Sequence, residues 1–406
     1  MKTMKSYHSI LDWIDTQQSA MVDLVVKWSQ INTHTANLSG LEELSKELAK
    51  SFSVFNEPVE FIPLPDYPMM DQMGIKQNFP VAPVLSIRKR PKVKKQILLV
   101  CHMDTVYPPD DTFREVKVFG DNKIDGPGVA DAKGGMVVML KALEAIEQSP
   151  LAKRLGWQVV INTDEEIGSP SSGRMLQDLA RNFDLGFVFE PCLSDGNLVG
   201  ARKGSGNFTM MAYGKSAHAG RDHAMGRNAV VALSKAVIQI SGLSHMKEGL
   251  TVNVGTVHGG KALNIVPDFA MARYNVRVSY EDDQKYFERE TARIVHNVTE
   301  ETGVKIILEG GWTAPPKLLN ETACRFLQHV FNCGRELGLS LGWRDSGGVC
   351  DGNRLAAAGL PTVDTMGVQG GAIHSPSEYL MIHSLPERAR LTALAILKWT
   401  ADEWNL

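Results

Sequence analysis

Residues 159–172, VVINTDEEIGSPSS, begin as an apolar strand and end in three consecutive acidic side chains, Asp164, Glu165 and Glu166. A Ser/Gly/Pro turn follows them. Taken alone, this pattern is typical of a first helical turn, because acidic side chains offset the positive end of the helix dipole. Three adjacent carboxylates nevertheless disfavour one another's charged form. The function of the stretch therefore depends on the residues that meet it in the fold.

Apolar strands alternate with helices on both sides of this stretch, which indicates an α/β fold in which a mostly parallel sheet is flanked by helices. An amphipathic helix is predicted over 7–28, and a capping box from Ser39 to Glu42 opens a second one. The further predicted strands are PVLSIRK (83–89), QILLVCH (96–102), WQVVINT (157–163) and LGFVFE (185–190), and the further helices are 133–148 and 173–183.

The pattern changes after about residue 203. The next segments read strand, helix, strand, strand, helix and strand, an order typical of a ferredoxin-like α+β unit. The α/β pattern then resumes with helices at 321–337 and 384–404 and a short strand at TVDTMGV, 362–368. We therefore predict a catalytic domain in two parts, 1–203 and 315–406, with a second domain, 204–314, inserted between them.

Composition excludes several classes of function. The chain has 406 residues and a formal net charge of -3, which leaves no basic excess to neutralise phosphates, so we expect no nucleic-acid partner. The N-terminal segment does not resemble a signal peptide, and no apolar run approaches membrane-spanning length, so we expect no membrane partner. Five scattered cysteines without a CxxC pair are typical of reduced thiols in a cytoplasmic protein.

Polar residues follow several of the predicted strands. His102 and Asp104 come at the end of one strand, Glu165 and Glu166 at the end of another, and Glu190 at the end of a third. In an open α/β sheet these carboxyl ends form the reactive edge. Asp131 in a Gly-rich turn and His374 in a late loop are expected to join them.

Each of these residues alone has an ordinary explanation, such as a helix cap or an exposed strand end. Together they would crowd several carboxylates at one edge, which requires a compensating positive charge. Imidazole and carboxylate donors without a thiolate favour two zinc ions. Asp104 is placed to accept the second ring N–H of His102 and to fix its tautomer.

Seven motifs then occur in order along the chain: HMDTVYP (102–108), GPGVADAKGG (126–135), TDEEIGSP (163–170), FEP (189–191), GKSAHAG (214–220), LNIVP (263–267) and AIHSPSEY (372–379). This series resembles the M20 family of zinc-dependent metallopeptidases, nearest to its glutamate carboxypeptidase branch. The resemblance implies that His102 and Glu190 hold one zinc, that Glu166 and His374 hold the other, and that Asp131 bridges them. It also implies a cis peptide bond between Asp131 and Ala132.

The resemblance further implies roles in catalysis and substrate binding. Glu165 would be the general base, whereas Asp164 has no assigned role and is expected to be structural. His218 of GKSAHAG would stabilise the oxyanion in the partner subunit of a homodimer formed through the inserted lid/dimerisation domain. Asn264 and Arg277 would bind the substrate carboxylate. Gly347 and Gly348 of the loop DSGGVCDGN would line the substrate pocket.

The predicted function is hydrolysis of an amide or peptide bond next to a free carboxylate, by zinc-bound hydroxide with Glu165 as the base. The substrate would be a small peptide or an N-acyl amino acid. An N-acyl-amino-acid deacylase or desuccinylase on the same scaffold remains an alternative. A non-catalytic dimeric binding protein and a metal phosphoesterase, which also uses two metals, are rivals from other classes.

Overall fold

The computed structural model describes residues 7–404. Its α-helices are α1 (His8–Asp15), α2 (Gln18–Ser29), α3 (Leu38–Phe52), α4 (Gly135–Glu147), α5 (Gly173–Ala180), α6 (Ala229–Gly242), α7 (Glu281–Thr302), α8 (Glu321–Glu336), α9 (Asp351–Ala357) and α10 (Ser384–Thr400). Its strands are β1 (Val59–Ile62), β2 (Tyr67–Met70), β3 (Lys76–Phe79), β4 (Val84–Lys89), β5 (Lys95–His102), β6 (Lys117–Phe119), β7 (Lys123–Asp125), β8 (Leu155–Asn162), β9 (Leu185–Val188), β10 (Leu198–Arg202), β11 (Gly204–Tyr213), β12 (Thr251–Gly259), β13 (Phe269–Val278), β14 (Lys305–Ala314), β15 (Trp343–Ser346), β16 (Thr362–Val363), β17 (Gly370–Gly371) and β18 (Tyr379–Met381).

The main sheet has the strand order β1-β4-β8-β5-β9-β16. Strands β8, β5, β9 and β16 are parallel to one another, whereas β4 is antiparallel to both of its neighbours. The predicted mostly parallel sheet is therefore a mixed sheet. Only residues 90–94 connect β4 to β5, and such a short connection reverses the chain because a parallel crossover needs a dozen or more residues.

Both faces of this sheet are buried, as the continuous apolar strands predict. Along β5, Ile97 and Leu99 pack into a core shared with helices α1–α4, α8 and α10. The alternate side chains, Leu98 and Val100, pack on the opposite face, where the core also contains residues of α5 and α9. The carboxyl ends of β8, β5 and β9 consequently lie side by side at one edge.

A second sheet has the order β12-β13-β11-β14, and all of its strand pairs are antiparallel. Residues of α6 and α7 pack with one face of it in a separate hydrophobic core. This order is that of the predicted ferredoxin-like unit, and its strands and helices span 204–314. The division of the chain into domains at 203 and 314 stays a prediction.

Local predictions failed where tertiary contacts decide the structure. The predicted helix over 7–28 is two helices, α1 and α2, separated at Thr16 and Gln17. The predicted capping box at Ser39 is wrong, because α3 begins at Leu38 and the side chain of Asn37 accepts the cap hydrogen bond from the Gly40 N–H. The short sheets β2-β3, β10-β15 and β17-β18-β7-β6 were also not predicted.

Among the described residues, no helix is both long enough and apolar enough to cross a membrane. All five cysteines are free thiols.

A buried ion cluster joins the main sheet to the segment that follows β14. The carboxylate of Asp364 is fully buried and accepts hydrogen bonds from Arg202 Nε at 2.8 Å and from Lys317 Nζ at 2.8 Å. Burial alone would raise the pKa of Asp364, but the two cations hold this pKa below its usual range. Because both cations are also buried, neither can be left without its carboxylate at low cost.

The Asp364→Ala substitution should therefore lower the free energy of unfolding by about 3–5 kcal/mol, since it leaves two buried cations unpaired. Urea denaturation at neutral pH measures this loss. Asp402→Ala is the matched control, because Asp402 also pairs with two cations, Lys95 and Arg154, but its side chain is 66% exposed. The control should lose much less stability, because exposed ion pairs are screened by solvent. Equal losses of unfolding free energy in the two variants would contradict a stabilising role for the buried Asp364 cluster.

Candidate metal centre and active site

The predicted metal ligands converge at the carboxyl edge of the main sheet. His102 is the last residue of β5, Glu190 lies two residues beyond β9, and Glu166 lies in the turn that follows β8. Because these three strands are parallel neighbours, their ends meet at one place. Asp131, from the turn before α4, and His374, from the loop between β17 and β18, complete the set.

Two groups of donor atoms form there, and Asp131 belongs to both. In the first group, His102 Nε2 lies 3.0 Å from Asp131 Oδ1 and 3.7 Å from Glu190 Oε2. In the second, His374 Nε2 lies 3.3 Å from Asp131 Oδ2 and 3.1 Å from Glu166 Oε2. Each group offers one imidazole and two carboxylates, so the residues present fit a pair of divalent ions that share the Asp131 carboxylate.

The pKa values at the site show that, without metal, bound protons compensate the negative charge of the carboxylates. Burial and the nearby Asp131 raise the pKa of Glu166 to about 7, and burial together with Glu190 raises the pKa of Glu165 well above its usual value. Hydrogen bonds to Asp131 and Glu166 raise the pKa of His374 to about 10. Without metal, the cluster thus favours bound protons, and a cation supplies the same compensation of negative charge.

Asp104 contacts both His102 and the backbone of the acidic turn. Its two carboxylate oxygens accept the backbone N–H groups of Glu165 at 3.2 Å and Glu166 at 3.1 Å, and the Thr35 hydroxyl donates to it at 2.8 Å. The Nδ1 atom of His102 lies 3.1 Å from the Asp104 carbonyl oxygen and 3.4 Å from its carboxylate. Asp104 therefore orients one candidate ligand and fixes the backbone of another.

The third acid of the run, Asp164, has a structural role. Its buried carboxylate accepts the backbone N–H groups of Ser171 at 2.8 Å and Ser172 at 3.0 Å, as well as the Ser172 hydroxyl. These bonds close the turn, so that the neighbouring Glu165 and Glu166 are presented to the site. The three consecutive acids thus have different surroundings: Asp164 holds the turn, Glu166 belongs to a candidate ligand group, and Glu165 lies close enough to Glu190 for that charge to raise its pKa.

Two buried acids near the site were missed by sequence reasoning. Asp351 accepts hydrogen bonds from Asn162 Nδ2 at 2.7 Å and from the Ser169 hydroxyl at 2.6 Å, so it holds the far end of the same turn. Glu378 accepts backbone N–H groups of the turn that carries Asp131. Both acids lie in segments already noted, DSGGVCDGN and AIHSPSEY, but nothing in one sequence distinguishes them from surface acids.

The peptide bond between Asp131 and Ala132 is cis, in agreement with the resemblance. Gly128, in the same turn, has φ +72°, and a β-carbon there would lie 2.7 Å from Thr105 Cγ2. Glycine is therefore required at this position both for the left-handed backbone and for the close approach.

Two predicted residues of the inserted unit, His218 and Asn264, lie next to each other. His218 is exposed, and its Nδ1 accepts the N–H groups of Gly220 and Arg221, both at 3.1 Å. The carbonyl oxygen of Asn264 accepts the Ala219 N–H at 2.9 Å, which makes His218 and Asn264 neighbours. Among the described residues, neither side chain forms a hydrogen bond or ion pair with a candidate metal ligand.

Arg277 and the Gly-rich loop lie elsewhere. Arg277 Nε donates to Asn275 Oδ1 at 2.8 Å, while its Nη1 is buried and has no hydrogen-bond partner in the described part of the chain. Gly347 and Gly348 follow β15 and are exposed. The carbonyl oxygen of Gly348 accepts from Arg202 Nη1 at 3.3 Å. Within residues 7–404, Arg277, Gly347 and Gly348 form no hydrogen bond or ion pair with a candidate metal ligand.

The model of peptidase family M20/M25/M40 matches residues 98–398. The chain belongs to this family. It is 30% identical over 311 residues to carboxypeptidase G2 from Pseudomonas sp. (strain RS-16), and the match covers 75% of the chain and 74% of that protein. The predicted family is thus confirmed, and the protein is a metal-dependent peptidase or amidohydrolase.

Solved structures of low identity share the fold. A tripeptidase from Staphylococcus aureus is 24% identical with a TM-score of 0.75, over 95% of this chain and 99% of that one. A dinuclear metal-binding peptidase of the M20 family from Bacillus subtilis is 13% identical with a TM-score of 0.69, over 95% and 99%. These likenesses confirm the α/β fold class.

Proposed function

We propose that this protein is a dizinc hydrolase that cleaves an amide or peptide bond next to a free carboxylate, in the manner of a carboxypeptidase. The observation that carries the proposal is the sharing of Asp131 between two donor groups, with one carboxylate oxygen in each. His102 and Glu190 would hold one ion, and Glu166 and His374 the other. Imidazole and carboxylate donors without sulfur support zinc as the ion.

When bound, the two metal ions would polarise the scissile carbonyl. They would also lower the pKa of a water molecule, so that it can attack that carbonyl as hydroxide. Glu165 is the residue of this chain that takes the proton of that water and returns it to the leaving amine. Its backbone is held by Asp104, and its carboxylate forms no hydrogen bond among the described residues. It is thus fixed in place and free to accept a proton.

Binding of the substrate carboxylate is assigned to Arg277, with Asn264 and the loop at Gly347 and Gly348. The buried Nη1 of Arg277 has no partner among the described residues, and burial lowers its pKa. An incoming carboxylate would satisfy this donor through the planar geometry that guanidinium and carboxylate share. The requirement for a free carboxylate next to the scissile bond rests on this residue.

A homodimer formed through the inserted unit completes the proposal. Strand β12 lies at an edge of its sheet, and the neighbouring helix α6 exposes Val231 and Ile238, the latter 72% exposed. An open strand edge beside an exposed apolar helix face fits a second copy of the chain. The exposed His218 would then reach the partner's site, where it would stabilise the oxyanion. We place the protein in the cytoplasm, where free thiols are stable.

The Glu165→Gln variant should lose about 10²–10⁴-fold in kcat on peptides and N-acyl amino acids, because it retains the shape of the side chain but not the base. Zinc content should stay unchanged. Glu60→Gln, which changes an exposed acid on β1, is the control and should be fully active. Undiminished turnover by Glu165→Gln would contradict the role of the base. Cleavage of phosphate esters but of no amide would instead favour a phosphoesterase.

The Arg277→Met variant should raise KM on substrates with a free C-terminus about tenfold or more, because a charge-assisted hydrogen bond is lost. Substrates with an amidated C-terminus should be poor for wild type and unaffected by the change. Arg273→Met provides the control, since Arg273 is an exposed arginine on the same strand. If the KM values of amidated and free substrates rise equally in Arg277→Met, Arg277 does not bind the substrate carboxylate. Comparing dipeptides with N-acyl amino acids in this series separates peptidase from deacylase.

Ile238→Glu should convert a dimer into a monomer in sedimentation velocity, because it places a charge in the proposed apolar contact. If His218 acts in the partner's site, activity should fall together with the dimer. Val54→Glu, at another exposed apolar position, should change neither. A wild-type monomer with full activity would overturn the proposed assembly.

A further inference from the structure

The two histidines of the metal centre are supported unequally. The ring of His102 is buried, and its Nδ1 faces Asp104. The side chain of His374 is 51% exposed, and its Nδ1 forms no hydrogen bond within residues 7–404. The backbone at His374 has φ +60°, a conformation that side-chain-bearing residues rarely adopt. Since metal-ligating histidines usually need a second partner to fix the ring, the His374 loop must be held in some other way.

Glu378, four residues after His374, saturates its carboxylate with donors from the opposite side of the site. Its Oε1 accepts the N–H groups of Ala130 at 2.9 Å and Asp131 at 3.0 Å. Its Oε2 accepts the N–H of Gly128 at 3.1 Å. The side chain is fully buried. One carboxylate from the His374 segment therefore accepts three backbone N–H groups of the turn that presents the shared ligand.

Tyr107 completes the connection. Its hydroxyl lies 2.7 Å from Glu378 Oε2 and 3.0 Å from the carbonyl oxygen of Ser375, the residue after His374. The ring is 5% exposed and packs edge-on against Phe113 at 5.3 Å. Tyr107 follows His102 and Asp104 closely in the chain. A single hydroxyl thus joins the end of β5, the Asp131 turn and the His374 loop.

We propose that Tyr107 and Glu378 are positioning residues that set the separation of Asp131 from His374, and so determine affinity for the ion held by Glu166 and His374. The inference rests on the proposed dizinc function. Tyr107 and Glu378 together hold the His374 loop in place of the hydrogen-bond partner that the His374 ring lacks. The ion held by His102 and Glu190 depends on it less, because Asp104 fixes His102 independently. A purely structural role would weaken both sites alike or only the fold.

The test is a zinc titration of apoprotein against a competing chromophoric chelator, which resolves two binding steps in wild type. His374→Ala identifies the step that belongs to Glu166 and His374, because that step disappears. In Tyr107→Phe this same step should weaken about 10–100-fold, the usual cost of losing an outer partner of a metal ligand. The other step should weaken much less, because Asp104 fixes His102 independently, even though Asp131 belongs to both donor groups.

Tyr274→Phe is the matched control, because the Tyr274 hydroxyl is also buried but has no hydrogen-bond partner within the described chain. It should change neither binding step. Glu378→Gln serves as a second variant of nearly identical size. It replaces one acceptor oxygen with an N–H donor that faces backbone N–H groups, and it should weaken the same step at least as much. Thermal unfolding of each apoprotein checks that it is folded.

Equal weakening of both steps by Tyr107→Phe, or no weakening of either, would overturn the positioning role. A wild-type protein that binds only one zinc would instead overturn the dizinc function itself, and the inference with it. These two failures are distinguishable because the second is visible before any variant of Tyr107 is made.

Discussion

Crowding of negative charge at one sheet edge is the constraint on which the rest of this structure depends. Asp131, Glu166 and Glu190 surround two imidazoles within a few ångströms, and Glu165 is close enough for the charge of Glu190 to raise its pKa. Carboxylates in such a poorly solvated place must be protonated, paired or bound to cations. Asp131 has one carboxylate oxygen near each histidine, which favours binding to cations. The geometry of both candidate ion sites therefore depends on the position of Asp131.

The surrounding fold controls that position by hydrogen bonds from several directions. Asp104 and Asp164 fix the turn that carries Glu165 and Glu166, and Asp351 holds its far end. Glu378 holds the turn of Asp131 itself. Buried acids thus support the acids of the candidate metal centre, and each supporting carboxylate accepts hydrogen bonds from N–H or O–H donors; Asp351 also lies 3.8 Å from the Arg354 guanidinium.

The sequence predicted the fold class, and it named donor side chains that the structure brings together, because both depend on strongly patterned features. A strand such as β8, buried along its whole length, is visible as an apolar run, and a polar residue just beyond it is expected at the reactive edge of a parallel sheet. The direction of β4 and the short sheets were missed because short strands carry little pattern. The supporting roles of Asp351 and Tyr107 were missed because their hydrogen-bond partners lie far away in sequence. Ser169 is 182 residues from Asp351, and Glu378 is 271 residues from Tyr107. The roles of His218 and Arg277 depend on assembly and substrate, and stay predictions.

The most direct measurement is anomalous X-ray diffraction at the zinc absorption edge from crystals of zinc-loaded protein. Two anomalous peaks are expected in each subunit, one bounded by His102 and Glu190 and one by Glu166 and His374, with Asp131 in contact with both. A single peak, or a peak coordinated by a sulfur such as that of Cys101 beside His102, would contradict the shared-aspartate centre.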